Sequence, residues 1–482
     1  MSRYKQLLSD SVIYGVGAIF AKGIGFLLLP IYTRVFTPAE YGTIEMLVVV
    51  NGFLSAFLMM GMDSAQSFFF FEQKKKGVEA QSVLISSILQ WRLTFGSGIV
   101  IISMLLSPLI NSWFFNGQLD WVHFAIAFSG ALFTQVMMQS ADVYRLLYKP
   151  IGFIIITLGN SLVSAAVAIT LVVWLEQGIL GFFIGMVVGA SISAILGWYR
   201  IRKYLNFSKF HSAWWPRLLK FGIPLLPASL AMYVMSSADR WFIVSYHGET
   251  SLGLYAIGAK FAILLGFVIE TFRKAWWPIA MDSMQSDDGP MVFRFVSRFY
   301  MGLMAAGAVI LTMLSPLIIE WFTAPAYHDA YPIVGILAWQ SVFYGFFLIG
   351  SAGLWKAEKT AVSAITMVLA AVINIVLDYY LVPDYGLYGA AYATILSFFL
   401  WNVIAIYISE KFWRVGLNYI VLFTQSIVGL IATTCLVLSY ENLMDRSIAL
   451  GLSAVIVIFL LLSVGSKSQI LNILTQRKNK KA

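Results

Sequence analysis

SPLINSWF occupies residues 107–114, and SPLIIEWF occupies residues 315–322. Six of eight positions agree between two segments 208 residues apart. Each copy follows a long apolar run, so the pair marks corresponding points in two halves of one chain. What those halves are is decided by the runs themselves.

The 482-residue chain is 60% hydrophobic and 11% charged, against about 45–50% and 25% in soluble domains. Apolar runs of about 20 residues, the length that crosses a hydrocarbon core of roughly 30 Å, recur from Val12 to Val464. Breaking them at charged, Pro/Gly and polar clusters predicts fourteen spans, the first over 10–33 and the last over 446–465. The first carries Lys22 and runs to Thr33 without a small-residue cleavage site, so it reads as a retained span. The expected fold class is an all-α polytopic membrane protein: two parallel six-helix repeats plus two extra C-terminal helices.

Charge tests this division, because Lys and Arg collect in cytoplasmic loops. With the N-terminus inside, 26 of the 32 Lys and Arg fall in inner segments. Outer loops hold Arg34, Arg240 and Arg446, and the spans themselves hold Lys22, Arg92 and Lys260. One missed span would invert every later loop, so the asymmetry supports the count and predicts cytoplasmic termini. The same loops account for the net charge of +9, and no nucleic-acid partner is expected.

Six crossings separate the two copies of the repeat. An even number gives both units the same orientation, which is a parallel repeat about an axis along the membrane normal. Other pairs keep nearly the same offset: EQGILG 176–181 with DYGLYG 384–389, LYK 147–149 with LWK 354–356, and EYG 40–42 with SLG 251–253. The expected domains are an N-terminal lobe over 1–212, a C-terminal lobe over 213–410, and an appendix over 411–482 with a basic tail. In both octapeptides proline is expected to stop the helix, leaving Trp113 and Trp321 at the outer interface. WWP 214–216, in the basic linker, is placed at the inner interface, where amphipathic rings are favoured.

Function classes narrow by elimination. Cys435 is the sole cysteine and lies in an apolar run, and the four histidines show no metal-ligand spacing, so no metal or other cofactor is expected. No phosphate-binding Gly-rich loop ending in Lys-Ser/Thr occurs. An enzyme of the membrane surface would need clustered carboxylates or histidines in a loop; Asp282, Asp287 and Asp288 form such a cluster but read as a solvated loop.

Charges at bilayer depth are more informative, since each costs about 2.5–3.5 kcal/mol at the centre on insertion scales. Lys22, Arg92 and Lys260 fall within spans, and no acid is expected at matching depth. An excess of buried positive charge points to a cavity that receives an anion. Arg92 has a structural alternative, an ion pair with Asp63 or Asp142, and long cationic side chains also snorkel toward an interface. Asp239 beside Arg240 at the outer end of span 7, and Glu270 toward the inner side, complete the set of charge partners. Pro30 in span 1, with Pro224 and Pro227 in span 7, mark hinges in the leading helices of the two lobes.

Three stretches carry a family resemblance: SVIYGVGAIFAKGIGFLLLPIYTRVFTPAEYGTIEML (11–47), FGIPLLPASLAMYVMSSADRWFIVSYHGETSLGLYAIGAKF (221–261) and AAVINIVLDYYLVPDYGLYGAAYAT (370–394). The chain resembles the polysaccharide transporters of the multidrug/oligosaccharidyl-lipid/polysaccharide exporter superfamily, and within them Wzx-type O-antigen flippases. That resemblance implies two six-helix bundles around a central cavity, alternating access, and a lipid-diphosphate-linked sugar as cargo in the bacterial inner membrane. Cationic cavity residues of relatives correspond to Lys22, Arg240 and Lys260 here, while span 2 offers no mid-depth cation. The implied cargo is an undecaprenyl-diphosphate-linked oligosaccharide, and the implied partners are membrane lipids and a downstream glycan polymerase. The alternative is a drug or cation exporter of the same superfamily, for which buried acids in place of buried cations are expected.

Overall fold

The computed structural model describes residues 17, 20, 23–206, 211–441 and 444–464. Among them every regular element is helical. In chain order these are α1 (Leu29–Val35), α2 (Pro38–Met59), α3 (Met62–Lys74), α4 (Val78–Trp91), α5 (Ser97–Leu105), α6 (Ser107–Phe114), α7 (Trp121–Leu146), α8 (Pro150–Ile169) and α9 (Gly178–Arg200). There follow α10 (Trp215–Gly222), α11 (Leu226–Ser237), α12 (Asp239–Met284), α13 (Gly289–Phe322), α14 (Tyr331–Gly350), α15 (Ala352–Lys356), α16 (Thr360–Phe412), α17 (Tyr419–Tyr440) and α18 (Arg446–Ser463).

Among the described residues, eleven helical stretches are long and apolar enough to cross a membrane. Two of them double back. The Tyr255 hydroxyl donates to Asp239 within α12, although 16 residues of straight helix would part them by about 24 Å. The reversal is at Gly248, with φ 78° and ψ 179°. In α16 the Trp401 indole donates to Thr366 at 3.3 Å across 35 residues, and the reversal is at Gly386, with φ 54° and ψ −129°. Large apolar side chains point outward, Ile420 at 80% exposure and Leu462 at 77%. Such a surface is stable only where the surrounding solvent is hydrocarbon.

The chain forms two compact units. One comprises residues up to Tyr233 together with Gly248–Gly253; the other comprises Val234–His247 and the chain from Leu254 onward. The first unit is centred on Phe70, Leu84, Ile88, Ala141, Val143 and Leu218, all fully buried. Its helix α2 starts on a capping box, with Thr37 accepting from the Glu40 amide and Glu40 returning to the Thr37 amide, and with Pro38 in the first turn. WWP belongs to this unit's core edge: the Trp215 indole donates to the Ser87 carbonyl at 3.1 Å, and its ring meets Trp91 edge-on at 5.2 Å. The indole packs against helix α4 and its N–H is satisfied by protein, while both tryptophans stay partly exposed.

The second unit buries Trp339, Trp401, Tyr255 and Phe261. Helices α17 and α18 pack with α13 in this unit.

Two local backbone geometries recur at nearly the offset of the octapeptides, and one register differs from the sequence match. Gly178 and Gly386, 208 residues apart, share a left-handed backbone, at φ 53° and 54°. At the other end of the bundle, amides 147, 148 and 149 bond to carbonyls 143, 145 and 144; amides 357, 358 and 359 bond to carbonyls 353, 355 and 354. Tyr148 and Glu358 both take positive φ. The offset there is therefore 210, and LYK corresponds to AEK 357–359; the LWK match is a coincidence one helical turn away.

The helix before the first octapeptide ends at Leu105, next to Pro108 as expected, whereas in the second copy proline does not stop the helix. Pro108 sits in the first turn of α6, where its missing amide costs nothing, and Pro316 lies inside α13, which runs on to Phe322. Trp113 and Trp321 are exposed.

Replacing Gly386 by Ala is expected to lower stability by about 1–2 kcal/mol, the cost of a Cβ in left-handed backbone. A calorimetric scan of the full-length protein in nanodiscs checks this. Gly98→Ala, in ordinary helix with open space around it, serves as the control and should change little.

Candidate functional site

The second unit contains a buried polar centre built from four helical arms, two of α12 and two of α16. Asp239, at the first turn of α12, is 2% exposed. Its Oδ1 accepts from the Arg240 amide and from Arg240 Nη1, both at 2.9 Å. Its Oδ2 accepts from the Tyr255 hydroxyl and, at 3.4 Å, from Thr394 Oγ1 on the returning arm of α16. Arg240 also donates to the Ser236 carbonyl at 2.8 Å, and its guanidinium stands 5.6 Å from the Tyr255 ring centre.

Asp378 and Asn374 come from the outgoing arm of α16. They are four residues apart and thus on one helix face. Both are fully buried, and neither Asp378 oxygen nor either Asn374 amide atom has a hydrogen-bond partner. Asp378 lies within Coulombic range of Asp239. A buried carboxylate without a partner is costly enough that it takes up a proton or a cation. The Asp378 carboxylate and the Asn374 amide oxygen, unpartnered on one helix face, are oxygen donors that suit a hard cation and not a soft transition metal. Among the described residues no group of three or more His, Cys, Asp or Glu is placed to hold a metal ion.

The first unit has a different centre. Arg92 is 1% exposed and opens a π-helical turn, Arg92–Gly96, between α4 and α5. It ion-pairs with Asp63 and donates through Nη1 to the Gln135 carbonyl at 2.8 Å and the Gln135 side chain at 2.9 Å. The extra residue in the π turn reorients the helix where the guanidinium enters the bundle, a geometry common at functional positions. Gln66 and the Gln139 side-chain oxygen, close to fully buried, lack partners. The corresponding residue in the second unit is Tyr300, whose hydroxyl donates to the Val342 carbonyl at 3.2 Å from an uninterrupted helix.

The other expected positions separate. Asp142 pairs with Arg145 at 2.9 Å, and Glu270 with Arg273 at 2.7 Å, each one turn along its own helix. Lys260 is half-buried on α12. Lys22 lies outside the described residues. Pro30 opens α1 next to a turn at Leu28, Pro224 sits in a 3₁₀ turn, Ile223–Leu225, and Pro227 is the second residue of α11. All three prolines therefore stand at breaks between helical segments.

The sequence reading did not single out Asp378, Asn374, Thr394 or Tyr255, and it placed Asp239 at a helix end, where the structure buries it to 2% exposure. The signal was present in NIVLDYY 374–380: an Asn and an Asp at i and i+4 in an apolar run.

Comparison with known proteins adds the following. Residues 7–284 match the family described as polysaccharide biosynthesis protein, and residues 224–380 match the family named MatE. A protein of the Lsg locus of Haemophilus influenzae is 26% identical over 302 residues, which is 58% of this chain and 67% of that one. A Shigella flexneri protein described as an O-antigen transporter is 23% identical over 213 residues, 43% of this chain and 50% of that one. The solved structure of the lipid II flippase MurJ in an inward closed conformation superposes with a TM-score of 0.70 at 17% identity, covering 93% of this chain and 98% of the other.

Proposed function

From the membership of this chain in the polysaccharide biosynthesis protein family, a family of membrane transporters, we propose that it is a flippase for a lipid-diphosphate-linked oligosaccharide. The cargo is an undecaprenyl-diphosphate-linked repeat unit of O-antigen type, moved from the inner to the outer leaflet of the bacterial inner membrane by alternating access. The family match over residues 7–284 carries this reading. Lys22, Lys260 and Arg240 attract the diphosphate, the sugar crosses in a polar environment, and the polyprenyl tail stays in lipid. With the inside negative, each anionic charge moved outward gains about 2.3 kcal/mol per 100 mV. The Asp239–Asp378–Asn374–Thr394 centre takes a proton or hard cation whose return completes the cycle.

The buried carboxylates and the MatE match over residues 224–380 favour a second reading, a drug or cation exporter. Lys260→Ala separates the two. The flippase reading expects at least a tenfold fall in glycan export, with lipid-linked glycan accumulating on the inner leaflet. Unchanged export with lost efflux of a cationic dye would establish the exporter instead. Depletion of the protein, followed by identification of the glycan that accumulates, names the cargo.

A further inference from the structure

The second copy of the repeat departs from the first where it borders a cavity. Ser112 in SPLINSWF corresponds to Glu320 in SPLIIEWF, and Asn111 to Ile319. In the first unit Asn111 closes the loop that follows, donating to the Leu119 carbonyl at 2.7 Å and accepting its amide at 3.2 Å. In the second unit Ile319 is buried, and beside it lies a cavity of about 510 Å³ bordered by Pro316, Glu320, Tyr331, Tyr440, Asp445 and Arg446. That volume falls within the range of small-molecule sites. Part of its wall comes from α17 and α18, helices beyond the twelve of the repeat.

The cavity has a fixed wall and free polar tips. The Tyr440 hydroxyl donates to the Thr312 carbonyl at 2.7 Å, and Tyr331 meets the Tyr440 ring edge-on at 4.9 Å and 82°. Asp445 Oδ1 caps α18, accepting the amides of Ser447 and Ile448 at 2.8 and 3.0 Å, which leaves Oδ2 available. Among the described residues neither the Glu320 carboxylate nor the Tyr331 hydroxyl has a hydrogen-bond partner, and Arg446 makes no ion pair; its guanidinium stands 5.8 Å from the Tyr440 ring.

Charge selects the class of ligand. Glu320 and Asp445 outweigh Arg446, and Asp329 and Glu441 act on Tyr331 from the surroundings. A phosphate or diphosphate is repelled from such a place. No metal-holding group of acids occurs among the described residues. An uncharged, hydroxyl-rich ring matches the polar tips on both sides: a carboxylate accepts from vicinal hydroxyls, a guanidinium donates to them with its planar fork, and tyrosine offers an aromatic wall.

We propose that this cavity is a binding site for a neutral saccharide, held by Glu320, Arg446 and Tyr331. Its use as a seat for the sugar end of exported glycan rests on the flippase reading; the binding itself does not. The test uses full-length protein in lipid nanodiscs, free of sugar-headed detergent. Saturation-transfer NMR is run with glucose, galactose, mannose, rhamnose, N-acetylglucosamine and N-acetylgalactosamine, with inorganic pyrophosphate as competitor. At least one sugar is expected to bind saturably, with affinity reduced tenfold or more in Glu320→Ala and Arg446→Met, unchanged in Ser112→Ala, and undisturbed by pyrophosphate. Because Glu320 is exposed, thermal unfolding of Glu320→Ala should match the parent. Absence of binding across the six sugars, binding unchanged in both variants, or displacement by pyrophosphate overturns the proposal. A leaflet assay of lipid-linked glycan keeps the readings apart: lost export in Lys260→Ala with sugar binding intact bears on the flippase alone.

Discussion

Asp378→Asn is expected to cut transport at least tenfold while Asp378→Leu makes the isolated protein more stable. An unpartnered buried polar group costs about 1–3 kcal/mol, and more when charged, and Asp378 has no partner for either oxygen. Leucine of similar size removes that cost, so unfolding in choline chloride should shift upward by about 2 kcal/mol. The parent protein should instead be stabilised by whatever cation fills the site. At a cation concentration a hundredfold above its dissociation constant the gain is about 2.7 kcal/mol, read as a higher midpoint in sodium chloride than in choline chloride, or on acidification if the cation is a proton. Both variants should lose that response. Export at the parental rate in Asp378→Asn, or a retained cation response, would remove Asp378 from the transport cycle.

Arg92→Met is expected to destabilise the first unit by about 3–5 kcal/mol, the cost of breaking a buried ion pair from one side. Asp63 and both acceptors on Gln135 lose their donor together. The double variant Arg92→Met, Asp63→Leu should recover most of the loss, because the stranded charge is gone. Tyr300→Phe, at the corresponding place in the second unit, removes one hydrogen bond and should cost about 1 kcal/mol. Thermal unfolding of the four proteins measures these differences. A loss below about 1 kcal/mol in Arg92→Met, together with failed export, would make Arg92 a cargo contact and not a structural cation.

The two predictions differ in how visible their residues were. Arg92 stood out because one cation in an apolar run is conspicuous, and its two named partners, Asp63 and Asp142, were the acids within reach along neighbouring spans. Asp378 is equally buried but sits near the end of an apolar run, where an acid is easily assigned to the loop that follows. Hydropathy does not separate those cases. The helical reversal at Gly386 does, because it brings Thr394 back beside the Asp378 arm and fixes α12 against both. The repeat register shows the same limit: LYK and LWK look alike as letters, yet backbone hydrogen bonds align Lys149 with Lys359.

The amino-acid sequence alone determined the helical membrane class, because in hydrocarbon a long apolar helix satisfies every backbone group within its own segment. Tertiary structure decided which charges are satisfied. Pairing depends on distances across helices that are far apart in the chain, so Arg92 found Asp63 and Asp239 found Tyr255, while Asp378 and Asn374, one helical turn apart, were left without hydrogen-bond partners.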